Sequence, residues 1–200
     1  MKNNSYVNKM VKAVDSYFKA EEKHKAEIEK MEKKMTDGLI APVDQKTHRE
    51  KIRNLNNQYS AIKKEYSANI ENIVSEYADA VNVWAQIKVE NLPPDAALLA
   101  SGIEINKNDL DVLAKKHWTN YTAQRLFMDY AKKHDIVFVH APTPEKKIAA
   151  ISGIGKFLSA VPTGGYNANF IKKEGALTDY LAQYESVLGE IGRASCRERV

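Results

Sequence analysis

Histidines and carboxylates are the first residues to weigh for chemistry. The chain has five histidines, His24, His48, His117, His134 and His140. A zinc-protease helix needs two histidines four residues apart with Glu between them, and no pair here has that spacing. His134 and His140 flank an apolar run without carboxylates at ligand spacing, so they read as solvated or capping groups. Ser152-Gly153-Ile154-Gly155-Lys156 contains the Gly-Lys pair of a phosphate loop. Such a loop also needs Gly five residues before the second Gly and Ser or Thr after Lys; Ala150 and Phe157 stand there instead. Gly153 and Gly155 are therefore expected to let helices approach closely. Asp109 and Asp111 open a helix, where the macrodipole stabilises carboxylates, and do not read as an acid–base pair. No G-x-S-x-G elbow or Ser-His-Asp set is defined by spacing. The expectation is a protein with no catalytic residue, no metal and no cofactor. A pocket gathering His117, His134 or His140 with carboxylates would reverse it.

Charge is the uneven feature. The formal net charge is +4, but residues 71–111 carry −6, residues 112–173 carry +7 and residues 174–190 carry −4. Candidate anion or nucleic-acid contacts are Lys115, Lys116, Arg125, Lys132, Lys133, Lys146 and Lys147, with Lys156, Lys172 and Lys173 beyond them. Trp118, Tyr121, Phe127, Tyr130, Phe138, Phe157, Tyr166 and Phe170 are interleaved. Clustered bases neutralise phosphates and exposed aromatics stack bases. The competing reading is that the acidic flanks fold against these bases and the aromatics form core. Lysines dominate the set, whereas bidentate recognition favours Arg.

The elements that must position these groups are helical. From Ser5 to Asp37, Val7, Val14, Ile28 and Met35 share one heptad seat, with Met10, Tyr17 and Met31 three residues later. Glu21 and His24 interrupt that seam, either as a register-setting polar layer or as exposed groups. Asp37-Gly38 is a stop signal. After Pro42 and a candidate cap at Asp44, a second seam runs through Ile52, Leu55, Tyr59, Ile62, Tyr66, Ile70, Ile73, Tyr77, Val81, Trp84 and Ile87, ending by Asn91 before Pro93-Pro94. Two long amphipathic helices with a short connector fold back antiparallel. This gives an αα-hairpin over residues 1–92. A small helical domain over 93–190 follows, with caps at Asn106 and at Thr119 or Asn120, and Pro144 at a first helical position. Residues 136–139 (Ile-Val-Phe-Val) form a strand-like run whose only candidate partner, Ile103-Glu104-Ile105, is too short to pair convincingly.

The last ten residues, from Ile191 to Val200, resemble the in-frame translation of a short-read sequencing adapter. This segment holds Cys196, the single cysteine. Setting it aside lowers the net charge from +4 to +2, removes thiol chemistry and leaves the residues natural after Glu190 unknown.

An all-α protein is therefore expected, with a long coiled-coil-like hairpin followed by a bundle of short helices. It has no membrane segment and is cytoplasmic, or virion-associated if from a phage. Its expected role is structural or assembly work through helical contacts, with itself or another protein as partner. Tyr59, Tyr66, Tyr77 and Trp84 are candidate interface residues. In its short, Lys- and Asn-rich make-up the chain is similar to small assembly proteins of tailed bacteriophages and other mobile elements. The alternative is a nucleic-acid-binding accessory protein using residues 112–173.

Overall fold

A computed structural model describes residues 5–188 apart from 89, 91, 102, 165 and 174. The adapter-like string and Cys196 lie outside the described residues. The chain is all-α, with no strand among the described residues. Its helices are α1 (Ser5–Thr36), α2 (Gln45–Trp84), α3 (Ala97–Ala100), α4 (Lys107–Lys116), α5 (Tyr121–Lys133), α6 (Pro144–Ser159), α7 (Tyr166–Ile171), α8 (Ala176–Ala182) and α9 (Glu185–Leu188).

Helices α1 and α2 form the expected hairpin. Gly38 terminates α1 with φ +68°, donating to Met35 at 3.2 Å while Leu39 donates to Lys34 at 3.0 Å. These two bonds make a Schellman motif, which needs a left-handed residue and so favours glycine. Across the turn, His48 Nε2 donates to the Met31 carbonyl at 2.9 Å. Helix α2 ends at Trp84, short of the expected Asn91. Trp84 Nε1 donates to Thr119 at 2.8 Å and the Lys88 amide to Thr122 Oγ1 at 3.2 Å. These contacts draw the chain out of helical geometry, and Ile87 is left exposed.

The chain forms two compact units that interleave in sequence. One comprises Ser5–Ser75 and Gly153–Ala182; the other, among the described residues, is built from 76–152 and 183–188. The boundary thus falls inside α2 and α6.

In the first unit Val7, Met10, Ala13, Val14 and Tyr17 of α1 are buried, as are Tyr66, Ile70 and Ile73 of α2 and Ile154, Leu158, Ile171 and Leu181. Gly155 works as expected: a Cβ there would collide with Val74. Gly153 does not, because its position is open and exposed. Gly155→Ala is therefore expected to destabilise by about 1–2 kcal/mol, overpacking outweighing helix propensity. Gly153→Ala is expected to stabilise by up to about 1 kcal/mol. Urea denaturation of both variants checks the opposite signs.

In the second unit Ile105, Leu110, Ala114, Ala123, Phe127 and Ala131 form the core, with Leu99, Leu113, Tyr130, Ile136 and Phe138 packed on it. Asn106 accepts from the Asp109 amide at 3.0 Å and Asn120 from the Ala123 amide at 3.2 Å, so both helix starts carry the side-chain caps their sequences call for. Helices α4 and α5 end on the same four residues, Ala-Lys-Lys-His, with the histidine at each C-cap.

Candidate functional site

Short helices leave their last carbonyls without intrahelical donors, and several candidate residues serve that need. Tyr66 donates to the Leu158 carbonyl at 3.0 Å, Ser67 to Ser159 at 3.1 Å and Asn167 to Phe157 at 3.1 Å. These three groups close the end of α6. In the other unit, Tyr77 donates to Leu188 at 3.0 Å. Tyr66 and Tyr77 are buried, so they are core anchors and not the interface residues their seam positions suggested. Trp84 is half-buried against Tyr121, ring centroids 4.9 Å apart, and its ring faces the Lys147 ammonium at 5.2 Å.

Lys147 also leaves the surface set. It is 5% exposed, and its ammonium donates to the Val187 carbonyl at 2.9 Å and to Leu188 at 3.3 Å. A cation at a helix C-terminus meets the negative end of the macrodipole. Burial nevertheless lowers its pKa to about 8, because a desolvated ammonium is costly.

Lys115, Lys116, Arg125, Lys132, Lys133 and Lys146 remain exposed. Lys116 pairs with Asp95 at 2.6 Å, and His117 meets the same carboxylate at 3.1 Å. Hydrogen bonds from Lys116 and His117 hold Asp95 below the ordinary carboxylate range. The Lys115-Lys116 and Lys132-Lys133 pairs occupy the last turns of α4 and α5, where cations are favoured for helix stability alone. Thr122, Ala123 and Gln124, at the start of α5, are buried, so α5 does not present its first turn to a nucleic-acid groove as a recognition helix would. Phe127 is core, and Phe157, Phe170 and Tyr180 contact one another; none is laid out as a stacking platform.

Asp111 serves structure as well. Asp111 accepts from Lys107 and from the Val139 amide, each at 2.8 Å. No group of three or more His, Cys, Asp or Glu that could hold a metal occurs among the described residues, and no helix among them is long and apolar enough to cross a membrane.

Glu21 and His24 form a polar layer in the hairpin. Glu21 pairs with Lys172 at 2.6 Å and with Lys25 at 3.2 Å. Burial pushes its carboxyl up, but the two lysines together hold it below its usual range. His24 stacks on Tyr59 at 4.3 Å, and the Tyr59 and Tyr17 hydroxyls are 2.9 Å apart. Tyr59 is half-buried on the hairpin seam, its ring stacked on the buried Tyr17 at 6.3 Å.

Beyond this layer the hairpin changes character. Every residue from 18 to 65 is at least partly exposed. Ile28, Met31, Met35, Ile52, Leu55 and Ile62 are only half-covered, although they continue the seams whose other ends are fully buried. The connector adds Leu39 at 70% and Val43 at 83% exposure. No family model, curated protein or solved structure matches this chain.

Proposed function

We propose that the protein is a non-enzymatic structural or assembly component acting through helical protein–protein contacts, with a second copy of itself as partner. The half-covered seam of residues 18–65 carries this reading. A helix in a globular fold buries an apolar stripe at least about 100° wide, and two helices alone leave part of each stripe in water. Another pair of helices would cover the remainder in the arrangement of a four-helix bundle.

The two helices differ in charge, residues 18–36 carrying +1 and residues 45–65 carrying +4. In this stretch α1 carries Glu22, Glu27, Glu29 and Glu32 among its lysines, while α2 begins with Lys46, Arg49, Lys51 and Arg53. The short, Lys- and Asn-rich make-up supports an assembly role of the kind tailed bacteriophages use, in the cytoplasm or the virion.

Leu55→Glu tests the seam. The charge lies on a half-covered position, so helix content by circular dichroism should stay near wild type. Light scattering should show association weakened by roughly tenfold or more, because desolvating a carboxylate against apolar side chains costs more than about 1.4 kcal/mol. Unchanged association of a helical Leu55→Glu protein would remove the seam as the interface.

A further inference from the structure

Residues 136–141 lie in no helix or turn, and side-chain exposure alternates with a period of two from 136 to 140, as in an extended chain. Val137 is 83% exposed and Val139 54% exposed, while Ile136, Phe138 and His140 are half-buried. The Val139 amide donates to Asp111 Oδ1 at 2.8 Å and the Ala141 amide to Gln124 Oε1 at 3.0 Å. One edge of the segment is thus held by side chains of α4 and α5. In extended chain the amide and carbonyl of the alternate residues point to the opposite edge. Among the described residues, no group accepts from the Phe138 or His140 amide, and none donates to the Ile136 or Phe138 carbonyl; the Ile136 amide, where the segment leaves α5, donates to the Ala131 carbonyl at 2.9 Å, so the open stretch centres on Phe138 and His140.

Such an edge is a template for another strand, and the sequence here is nearly its own mirror. Ile136-Val137-Phe138-Val139-His140 reads almost alike in both directions about Phe138. We propose that this edge pairs antiparallel with the same edge of a second copy, centred on Phe138. Phe138 of each copy then exchanges both backbone hydrogen bonds with Phe138 of the other. Each His140 amide donates to the opposite Ile136 carbonyl. Val137 stands across from Val139 of the partner copy on the outer face, closing a four-valine patch that a single copy leaves in water. A two-fold axis requires that kind of self-complementarity, and the centre falls on a residue whose amide and carbonyl are both open.

This contact is independent of the hairpin seam proposed above, since it uses other residues in the other compact unit. A two-stranded ribbon is weak alone, so the association is expected to be weaker than that of the hairpin. The proposed register is testable by charge. Like charges directly opposite each other in an antiparallel pair destabilise it, and opposite charges support it. V137K/V139K would set two lysine pairs across the axis, and its association through this edge should weaken by roughly tenfold. V137K/V139E would set two lysine–glutamate pairs across the axis and should associate like the wild type.

Both variants change exposed side chains and should retain the wild-type circular dichroism. They are best made in the Leu55→Glu background, which silences the seam, and followed by light scattering and amide hydrogen exchange. The expected result is protection of the Phe138 and His140 amides that grows with protein concentration, vanishes in V137K/V139K and returns in V137K/V139E. Exchange at these two amides that does not depend on concentration would overturn the proposal. So would equal association of the two charge variants. Association unchanged by Leu55→Glu, with the concentration-dependent protection retained, would remove the hairpin reading and leave this one standing.

Discussion

Gln124→Leu is expected to destabilise the protein by about 4 kcal/mol. Gln124 is fully buried, and every part of its amide is used. Its Nε2 donates to the Ala114 carbonyl at 2.6 Å and to the His117 carbonyl at 3.0 Å, closing the end of α4. Its Oε1 accepts from the Ala141 amide at 3.0 Å, fixing the extended segment. Leucine fills similar space but leaves the Ala114 carbonyl and the Ala141 amide buried without partners, each costing about 1–3 kcal/mol, while the His117 carbonyl keeps the Asn120 amide at 3.0 Å. Gln124→Glu sharpens the test. A carboxylate would face two carbonyl oxygens, so its folded-state pKa must rise above the unfolded value. Its stability should be lowest at neutral pH and should partly recover as pH falls towards 4, since a raised carboxyl pKa favours the folded state only when protonated. Urea titrations at both pH values read this directly. A Gln124→Leu variant within about 1 kcal/mol of wild type would mean that the amide does not organise this unit.

The second large effect is an alkaline stability maximum. Burial lowers Lys147 from its ordinary 10.5 to about 8. Between those values the unfolded chain keeps a proton that the folded chain has released, so stability rises with pH across that window. The full difference is worth about 3 kcal/mol. Burial raises the pKa of Tyr59, of Tyr66 and, against the pull of its bond to Tyr59, of Tyr17. Above the ordinary tyrosine value of 10.0 the folded chain holds protons that the unfolded chain loses, and stability falls. Unfolding free energy should therefore climb from pH 8, peak near pH 10 and then drop. Lys147→Met should remove the rising limb and leave the falling one. A wild-type profile that declines steadily from pH 8, with Lys147→Met superimposed on it, would contradict the burial of this ammonium.

The hairpin was legible because its signal is periodic. Val7, Met10, Val14 and Tyr17 on α1, and Tyr66 through Val81 on α2, repeat at helical spacing, and Gly38 punctuates α1 where a left-handed residue is needed. The starts of α4, α5 and α6 were legible because caps are local: Asn106, Asn120 and Pro144 act within one turn of their own positions. Contacts distant in sequence were not legible. Tyr66 and Leu158, or Lys147 and Val187, meet through folding, and no local pattern distinguishes a tyrosine that caps a remote helix from one that faces a partner. Lys147 resembled its neighbour Lys146 in sequence, yet one is buried and the other exposed because they lie on different faces of α6. The repeated Ala-Lys-Lys-His at the ends of α4 and α5 was the available hint that both lysine pairs serve helix termini.

Self-association is proposed to run through the half-covered seam of residues 18–65. Sedimentation equilibrium of the full chain, over a wide range of concentration and at moderate salt, tests it most directly. The mass should rise with concentration to at least twice that of one chain and return towards the single-chain mass for Leu55→Glu. A wild-type protein that stays at the single-chain mass across the whole range would contradict it.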